Sequence, residues 1–233
     1  KEVEQVVKMP DFKGYISDLG GPSANMYQLK GKVQSICDKC VSPSCIHPVV
    51  CSNLDTSHQK MIDLLKKVDA NPKVKKAFIG SGIRYDLLTK SFNKEGDDTM
   101  DEYLEQVVVN HISGRLKVAP EHTADETLKV MRKPSFKHFK SFKKKYGSIN
   151  KKHGLNQPLI PYFISSHPGT GKEDMAELAA ETKDLGFKLE QVQDFTPTPM
   201  TVATVIYYAG VHPYTMEPME TAIEKDDKKD QNV

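Results

Sequence analysis

The sequence predicts an α/β fold, a partial, open TIM-like (β/α) barrel with about five parallel strands. Three observations lead there. Short β-rich runs alternate with segments of helical periodicity, and each β-rich run ends in Gly, Pro, Ser or Asp turn chemistry. With 233 residues, 38% of them hydrophobic, the chain is long enough for one sizeable core without disulfide staples. A doubly wound open sheet is the competing topology, and periodicity does not separate the two.

In order, residues 12–17 (FKGYIS) read as a strand that Asp18-Leu19-Gly20-Gly21-Pro22 brings to an end. Thr56-Ser57-His58 opens a helix to about Asp69, with Ile62, Leu65 and Val68 on one face. Residues 74–80 form the second strand, ended by Ser81-Gly82. Thr99–His111 is amphipathic, with Met100, Tyr103, Leu104, Val107 and Val108 apolar. A strand follows at 115–119, then helices at 123–131 and 135–147. The fourth strand is 159–165, followed by a helix at 171–185, and 189–195 is the fifth strand. These elements occupy a single barrel domain over 1–213. Residues 214–233 read as a polar C-terminal tail, frayed or disordered.

In parallel α/β folds the ligand lies at the carboxyl ends of the strands. One rim collects Asp18 to Pro22, Ser81 to Asp86, Glu121-His122, Ser165 to Thr170 and Asp194 to Pro199, whereas the helix-to-strand connections are plain Lys, Asn and Gly. Gly20-Gly21 lets backbone approach a ligand closely, or is simply a tight turn. Arg84 can clamp a carboxylate or form a surface ion pair. Glu121 and His122 suit ribose hydroxyls or proton transfer, or cap the next helix. Gly169-Thr170-Gly171-Lys172 is not a P-loop, because Ser166 and Glu173 stand where Gly and Ser/Thr are required.

The net charge of +2 argues against a wholly basic coat protein, and no apolar run reaches membrane-spanning length. All four cysteines fall in one loop, Cys37-x2-Cys40-x4-Cys45-x5-Cys51, which points to a metal in a reducing, cytoplasmic compartment. The spacing suits a tetrahedral zinc site or an auxiliary iron–sulfur cluster, and leaves the choice between them open. From Leu128 to Lys172 there are eleven Lys and Arg and no carboxylate, a hint of RNA or another anionic partner. Phe136, Phe139, Phe142 and Tyr146, spaced as one helical face within that stretch, read as core anchors rather than base-stacking platforms.

Five segments together resemble the YgiQ-type branch of the radical S-adenosylmethionine superfamily: FKGYISDLGGPSANMY (12–27), FIGSGIRYD (78–86), LKVAPEHTADETLKVMRKP (116–134), LIPYFISSHPGTGKED (159–174) and QVQDFTPTPMTVA (191–203). The likeness covers about residues 10 to 213, and the loop ending Cys45-Ile46-His47-Pro48 shares it. It implies a partial barrel that binds S-adenosylmethionine at the strand ends, beside a 4Fe–4S cluster fed by an electron donor. By resemblance, Gly20 and Gly21 contact the methionyl ammonium, Ser81 and Arg84 the carboxylate and ribose, and Glu121 the ribose hydroxyls. Ser165, His167, Pro168, Phe195 and Thr196 flank the adenine.

One departure stands out. The superfamily's Cys-x3-Cys-x2-Cys run precedes the Gly-Gly strand, and no cysteine of this sequence precedes Cys37. The expectation is therefore a fragment of an Fe–S oxidoreductase of unknown substrate. It carries the S-adenosylmethionine-binding strand ends and is inactive by itself. The alternative is a non-catalytic, metal-stabilised domain binding an anionic partner through its lysines.

Overall fold

The computed structural model describes residues 1–21, 23–89, 99–187 and 192–223. The chain divides into two units, one formed by Lys1–Val118 with Lys140–Leu159, the other by Ala119–Phe139 with Ile160–Val233. The elements run α1 (Glu2–Val6), β1 (Tyr15–Ile16), α2 (Gln34–Cys37), α3 (Gln59–Asp69), β2 (Lys76–Ala77), α4 (Thr99–Asn110) and β3 (Leu116–Glu121). There follow α5 (Asp125–Val130), α6 (Phe136–Lys152), β4 (Leu159–Ser165), α7 (Lys172–Asp184), β5 (Val192–Asp194) and α8 (Val202–Ala209).

The α/β class and the parallel pairing hold, and the described strands close no barrel. The described strands form two sheets, β1-β2 and β3-β4-β5. β1 and β2 pair in parallel over two residues, Tyr15 with Lys76 and Ile16 with Ala77. Backbone bonds continue past them, from the Phe78 N–H to the Ile16 carbonyl at 2.9 Å and from the Leu19 N–H to the Phe78 carbonyl at 2.7 Å, ahead of the Gly20 and Gly82 turns at φ 102° and 89°. β4 pairs with β5 in parallel from Phe163↔Val192 to Ser165↔Asp194. Of the fifth strand expected at 189–195, Val192–Asp194 is strand, and residues 189–191 lie outside the described residues.

In the first unit, α3 packs on α4. Met61, Ile62, Leu65 and Val68 are buried on one side, and Tyr103, Leu104, Val107 and Val108 on the other. Each such side chain removed from water contributes about 2 kcal/mol, which makes this helix pair the anchor for β2. The aromatic stripe of α6 is buried along its length, as its spacing implies. Phe142 meets Tyr85 at 5.8 Å in the first unit. Phe139 meets Phe187 at 5.8 Å in the second, where Phe136 also faces Phe163 of β4 at 6.4 Å.

Part of the segment expected to fray is tied down. Val211 bridges Pro218, the Gly169 N–H donates to the Glu220 carbonyl at 2.8 Å, and Ala222 is buried. Burial of Ala222 and these backbone bonds hold 214–223 in place despite its polar composition, while residues 224–233 lie outside the described residues. No helix of the described residues is long and apolar enough to cross a membrane.

Candidate functional site

The strand ends of the first unit bond one another. The register of β1 on β2 puts Asp18 beside the Gly80–Gly82 turn, where its Oδ1 accepts the Gly80 and Ser81 N–H groups at 2.8 and 3.1 Å. The Ser81 hydroxyl donates to the other carboxylate oxygen. Burial alone raises the Asp18 pKa, but these three donors outweigh it and leave the carboxyl below its ordinary value. Gly82 is required where it stands, because a Cβ there would lie 2.8 Å from the Lys117 carbonyl oxygen of β3.

Arg84 is held on every side. Asn25 accepts its backbone N–H at 2.7 Å and donates to its carbonyl at 2.9 Å. Its guanidinium grips Asp86 in a two-point pair, Nε to Oδ1 at 3.0 Å and a terminal nitrogen to Oδ2. Asp86 is 3% exposed, so this pair is largely withdrawn from water. Gly20 and Gly21, both at positive φ, complete this rim. The residues expected to meet a ligand carboxylate, Ser81 and Arg84, thus already have carboxylate partners of their own.

The second unit arranges its strand ends round an open space. Glu121 ends β3 and Ser166 follows β4, and both adopt left-handed backbone, at φ 69° and 58°. Such strain in non-glycine residues persists where surrounding structure enforces it, often at functional sites. A cavity of about 600 Å³ opens here, lined by Glu121, Arg132, Lys133, His167, Asp194, Phe195 and Thr196 among others. That volume is within the range of small-molecule sites.

Lys133 donates to the Glu121 carboxylate at 2.9 Å. Because Ser165 and Asp194 are cross-strand partners, the Ser165 hydroxyl reaches Asp194 Oδ1 at 2.7 Å, and the Phe195 N–H reaches the Ser165 carbonyl at 2.8 Å. Ser165 therefore supports the wall of the cavity instead of lining it, and Pro168 serves through its carbonyl, which faces His167 Nδ1 at 2.9 Å.

Two buried histidines follow the strand ends here, His167 in the cavity lining and His122 next to Glu121. A contact between His167 Nδ1 and a carbonyl makes Nδ1 the protonated nitrogen and leaves Nε2 an acceptor. Its ring meets Phe195 edge-on at 4.9 Å. Burial lowers its pKa, against the opposing pull of the Pro168 carbonyl. His122 is fully buried, and its Nδ1 accepts the Ala124 N–H at 3.0 Å, so its Nε2 carries the proton and finds no acceptor among the described residues. Burial pushes His122 down to about 4, Asp174 pulling it up and His167 down. Both imidazoles are neutral at pH 7.

Elsewhere the expected sites are less converged. Among the described residues no three Cys, His, Asp or Glu side chains gather as metal ligands, and all four cysteines are free thiols. The lysine-rich face is partly neutralised within the first unit. Lys145 pairs with Asp101, and Lys152 pairs with Glu105 at 2.6 Å.

No family model matches the chain. It is 58% identical over 234 aligned residues to a UPF0313 protein of Porphyromonas gingivalis, a match covering 100% of this chain and 37% of that relative. A UPF0313 protein of Bacteroides thetaiotaomicron is 62% identical over 95% of this chain and 36% of its own length. One from Methanocella arvoryzae is 45% identical over 92% of this chain and 34% of its length. Over its whole length the chain is similar to UPF0313 proteins. It spans a little over a third of the length of these relatives. The stretch shared with the UPF0313 protein of P. gingivalis contains both strand-end rims and the cysteine loop.

Sequence reasoning missed the acidic partners. Asp18, Asp86 and Asp194 were visible as strand-end residues, but Asp18 and Asp194 hold Ser81 and Ser165 through pairing that only register reveals, and Asp86 holds Arg84 within one turn. Lys133, within the VMRKP run, is the other omission, since it sits on Glu121 from the end of a neighbouring helix.

Proposed function

We propose that the chain carries the S-adenosylmethionine-binding strand ends of a radical iron–sulfur enzyme, with the adenosyl part held in the cavity of the second unit. The observation that carries this reading is that Glu121, His167, Phe195 and Thr196, chosen from three separate strand ends by resemblance, line one cavity of nucleoside size.

The chemistry of the lining fits an adenosyl group. A carboxylate can accept both hydroxyls of a ribose diol, and Glu121 presents one from a left-handed strand end. Lys133 orients that carboxylate and is the group a diol competes with. His167 offers an acceptor nitrogen, which suits the exocyclic amine of adenine and disfavours a carbonyl in its place. Phe195 and Thr196 supply an apolar face and backbone polar groups for the base.

The strand ends of the first unit, where Asp86 holds Arg84 and Asp18 holds Ser81, stand outside this reading. The 4Fe–4S cluster would supply the electron that splits the ligand. The cysteines of this chain do not form that cluster's Cys-x3-Cys-x2-Cys run, and no radical step is assigned to them. The reading of the lysine-rich face as an RNA surface has less support, since two of its lysines are satisfied by α4 carboxylates.

The test is calorimetric titration of S-adenosylmethionine into the protein as its gene encodes it. Glu121→Gln is expected to weaken binding about tenfold, the loss of one charge-assisted contact. Binding that ignores this change, or no binding by a folded protein, contradicts the proposal.

A further inference from the structure

The cavity of the second unit holds one positive charge that its own walls do not balance. Most of its polar lining is committed. Lys133 pairs with Glu121 at 2.9 Å, Asp194 takes the Ser165 hydroxyl at 2.7 Å, and His167 Nδ1 meets the Pro168 carbonyl. The hydroxyls of Thr196, Thr198 and Thr201 donate to the carbonyls of Asp194, Thr196 and Thr198, and the Thr201 oxygen also accepts the Thr204 N–H. Of the polar side chains that line the cavity, this leaves Gln193 and Arg132 without a hydrogen-bond or ion-pair partner among the described residues. Arg132 alone of the two is charged.

Arg132 is nonetheless fixed in place. The end of α5 closes on itself, the Arg132 N–H donating to the Lys129 carbonyl at 3.0 Å and the Lys133 N–H to the Leu128 carbonyl at 2.8 Å. This closure sets Arg132 at φ 55°, in the left-handed position that helices usually give to glycine. Its guanidinium lies over the Tyr214 ring, 5.9 Å from the centre. Tyr214 is carried in turn by a closed hairpin. Val211 bridges Pro218, the His212 N–H donates to the Glu217 carbonyl at 2.9 Å, and His212 Nδ1 accepts the Tyr214 N–H at 3.3 Å. A guanidinium laid on an aromatic face keeps its N–H edge available for an oxyanion.

S-adenosylmethionine does not balance this charge. Its sulfonium and ammonium outnumber its one carboxylate, so that ligand is a net cation. A second molecule with a carboxylate or phosphate group does balance it. We infer that the cavity of the second unit also receives the molecule on which the chemistry is done, an organic acid or phosphate ester whose oxyanion Arg132 binds. Tyr214 is a positioning residue that acts through Arg132. The role as a substrate site rests on the nucleoside reading, whereas the affinity of Arg132 for an oxyanion does not.

Phenylglyoxal, which modifies arginine side chains, provides the test. The protein as its gene encodes it is treated with the reagent alone, with malonate, or with inorganic phosphate, and labelling is mapped by peptide mass spectrometry. At least one of these anions is expected to slow modification of Arg132 severalfold and saturably, with or without S-adenosylmethionine. Arg115, exposed in the first unit, is expected to react at an unchanged rate. The anion that protects at the lower concentration identifies the bound group as carboxylate or phosphate. Tyr214→Leu keeps the charge and is expected to raise the protecting concentration about threefold, with far-ultraviolet circular dichroism unchanged. Protection of Arg132 and Arg115 alike, or of neither, overturns the inference. So does protection by S-adenosylmethionine itself in competition with the anions, since Arg132 would then belong to that ligand's own carboxylate. Anion protection in a protein that binds no S-adenosylmethionine would end the nucleoside reading and leave the oxyanion site standing.

Discussion

In the first unit the polar groups at the strand ends bond one another, whereas in the second they border a cavity. Asp18 takes Ser81 and Asp86 takes Arg84, so the first rim is a closed network. On the second rim Asp194 is engaged from behind by Ser165, and Glu121 is held by a lysine, 34% exposed, that a ligand can displace. Residues of the same types, at equivalent places after parallel strands, are thus structural in one unit and available in the other. The lesson is that a polar strand end marks a site only when its partners leave it free.

The contrast can be broken most severely at Asp86. Asp86→Ala removes the partner of a partly buried guanidinium and is expected to cost about 3 kcal/mol, read by urea denaturation of the first unit's signal. A loss under about 1 kcal/mol would mean that Arg84 is not committed to this pair, and that the first rim is as open as the second.

Next comes acidity. His122 is neutral in the folded protein with a pKa of about 4, against an ordinary value of 6.5. The unfolded chain therefore binds this proton first as pH falls, and stability is lost between about pH 6.5 and 4. The loss is roughly 2 to 3 kcal/mol from this group. In His122→Gln that share of the acid sensitivity disappears, so the stability gap between variant and parent narrows as pH drops. A gap of constant size would show that His122 is not held neutral in the folded protein.

The smallest expected effect sharpens the comparison. Ser165→Ala frees Asp194 from its buried donor at a cost of about 1 kcal/mol. It is also expected to weaken S-adenosylmethionine binding, because the cavity wall loses its brace. Unchanged affinity with the same loss of stability would make Ser165 purely structural, like Ser81.

How far these rims were legible in the sequence follows from what each depends on. Gly20-Gly21, Glu121, His167, Phe195 and Thr196 could be picked out because Gly and Pro punctuate parallel strands and mark where they end. The helices α3, α4 and α6 were legible through apolar spacing, which the buried faces of Leu65, Val107 and Phe142 match. The closed state of the first rim was not, since Asp18 and Ser81 lie 63 residues apart and meet only through a two-residue ladder. The alternating pattern carried the α/β class and the parallel pairing, but not the grouping of the described strands into two sheets. α8 also escaped notice, as Thr201 starts it by accepting the Thr204 N–H in a stretch that reads as turn.

Photo-crosslinking tests the central claim most directly. An azidoadenosyl analogue of S-adenosylmethionine, irradiated with the protein and mapped by peptide mass spectrometry, is expected to label the segments that end β4 and β5, around His167 and Thr196, and to be displaced by the natural ligand. Displaceable labelling confined to the Gly20–Arg84 rim, or to neither, would contradict a nucleoside site in the cavity of the second unit.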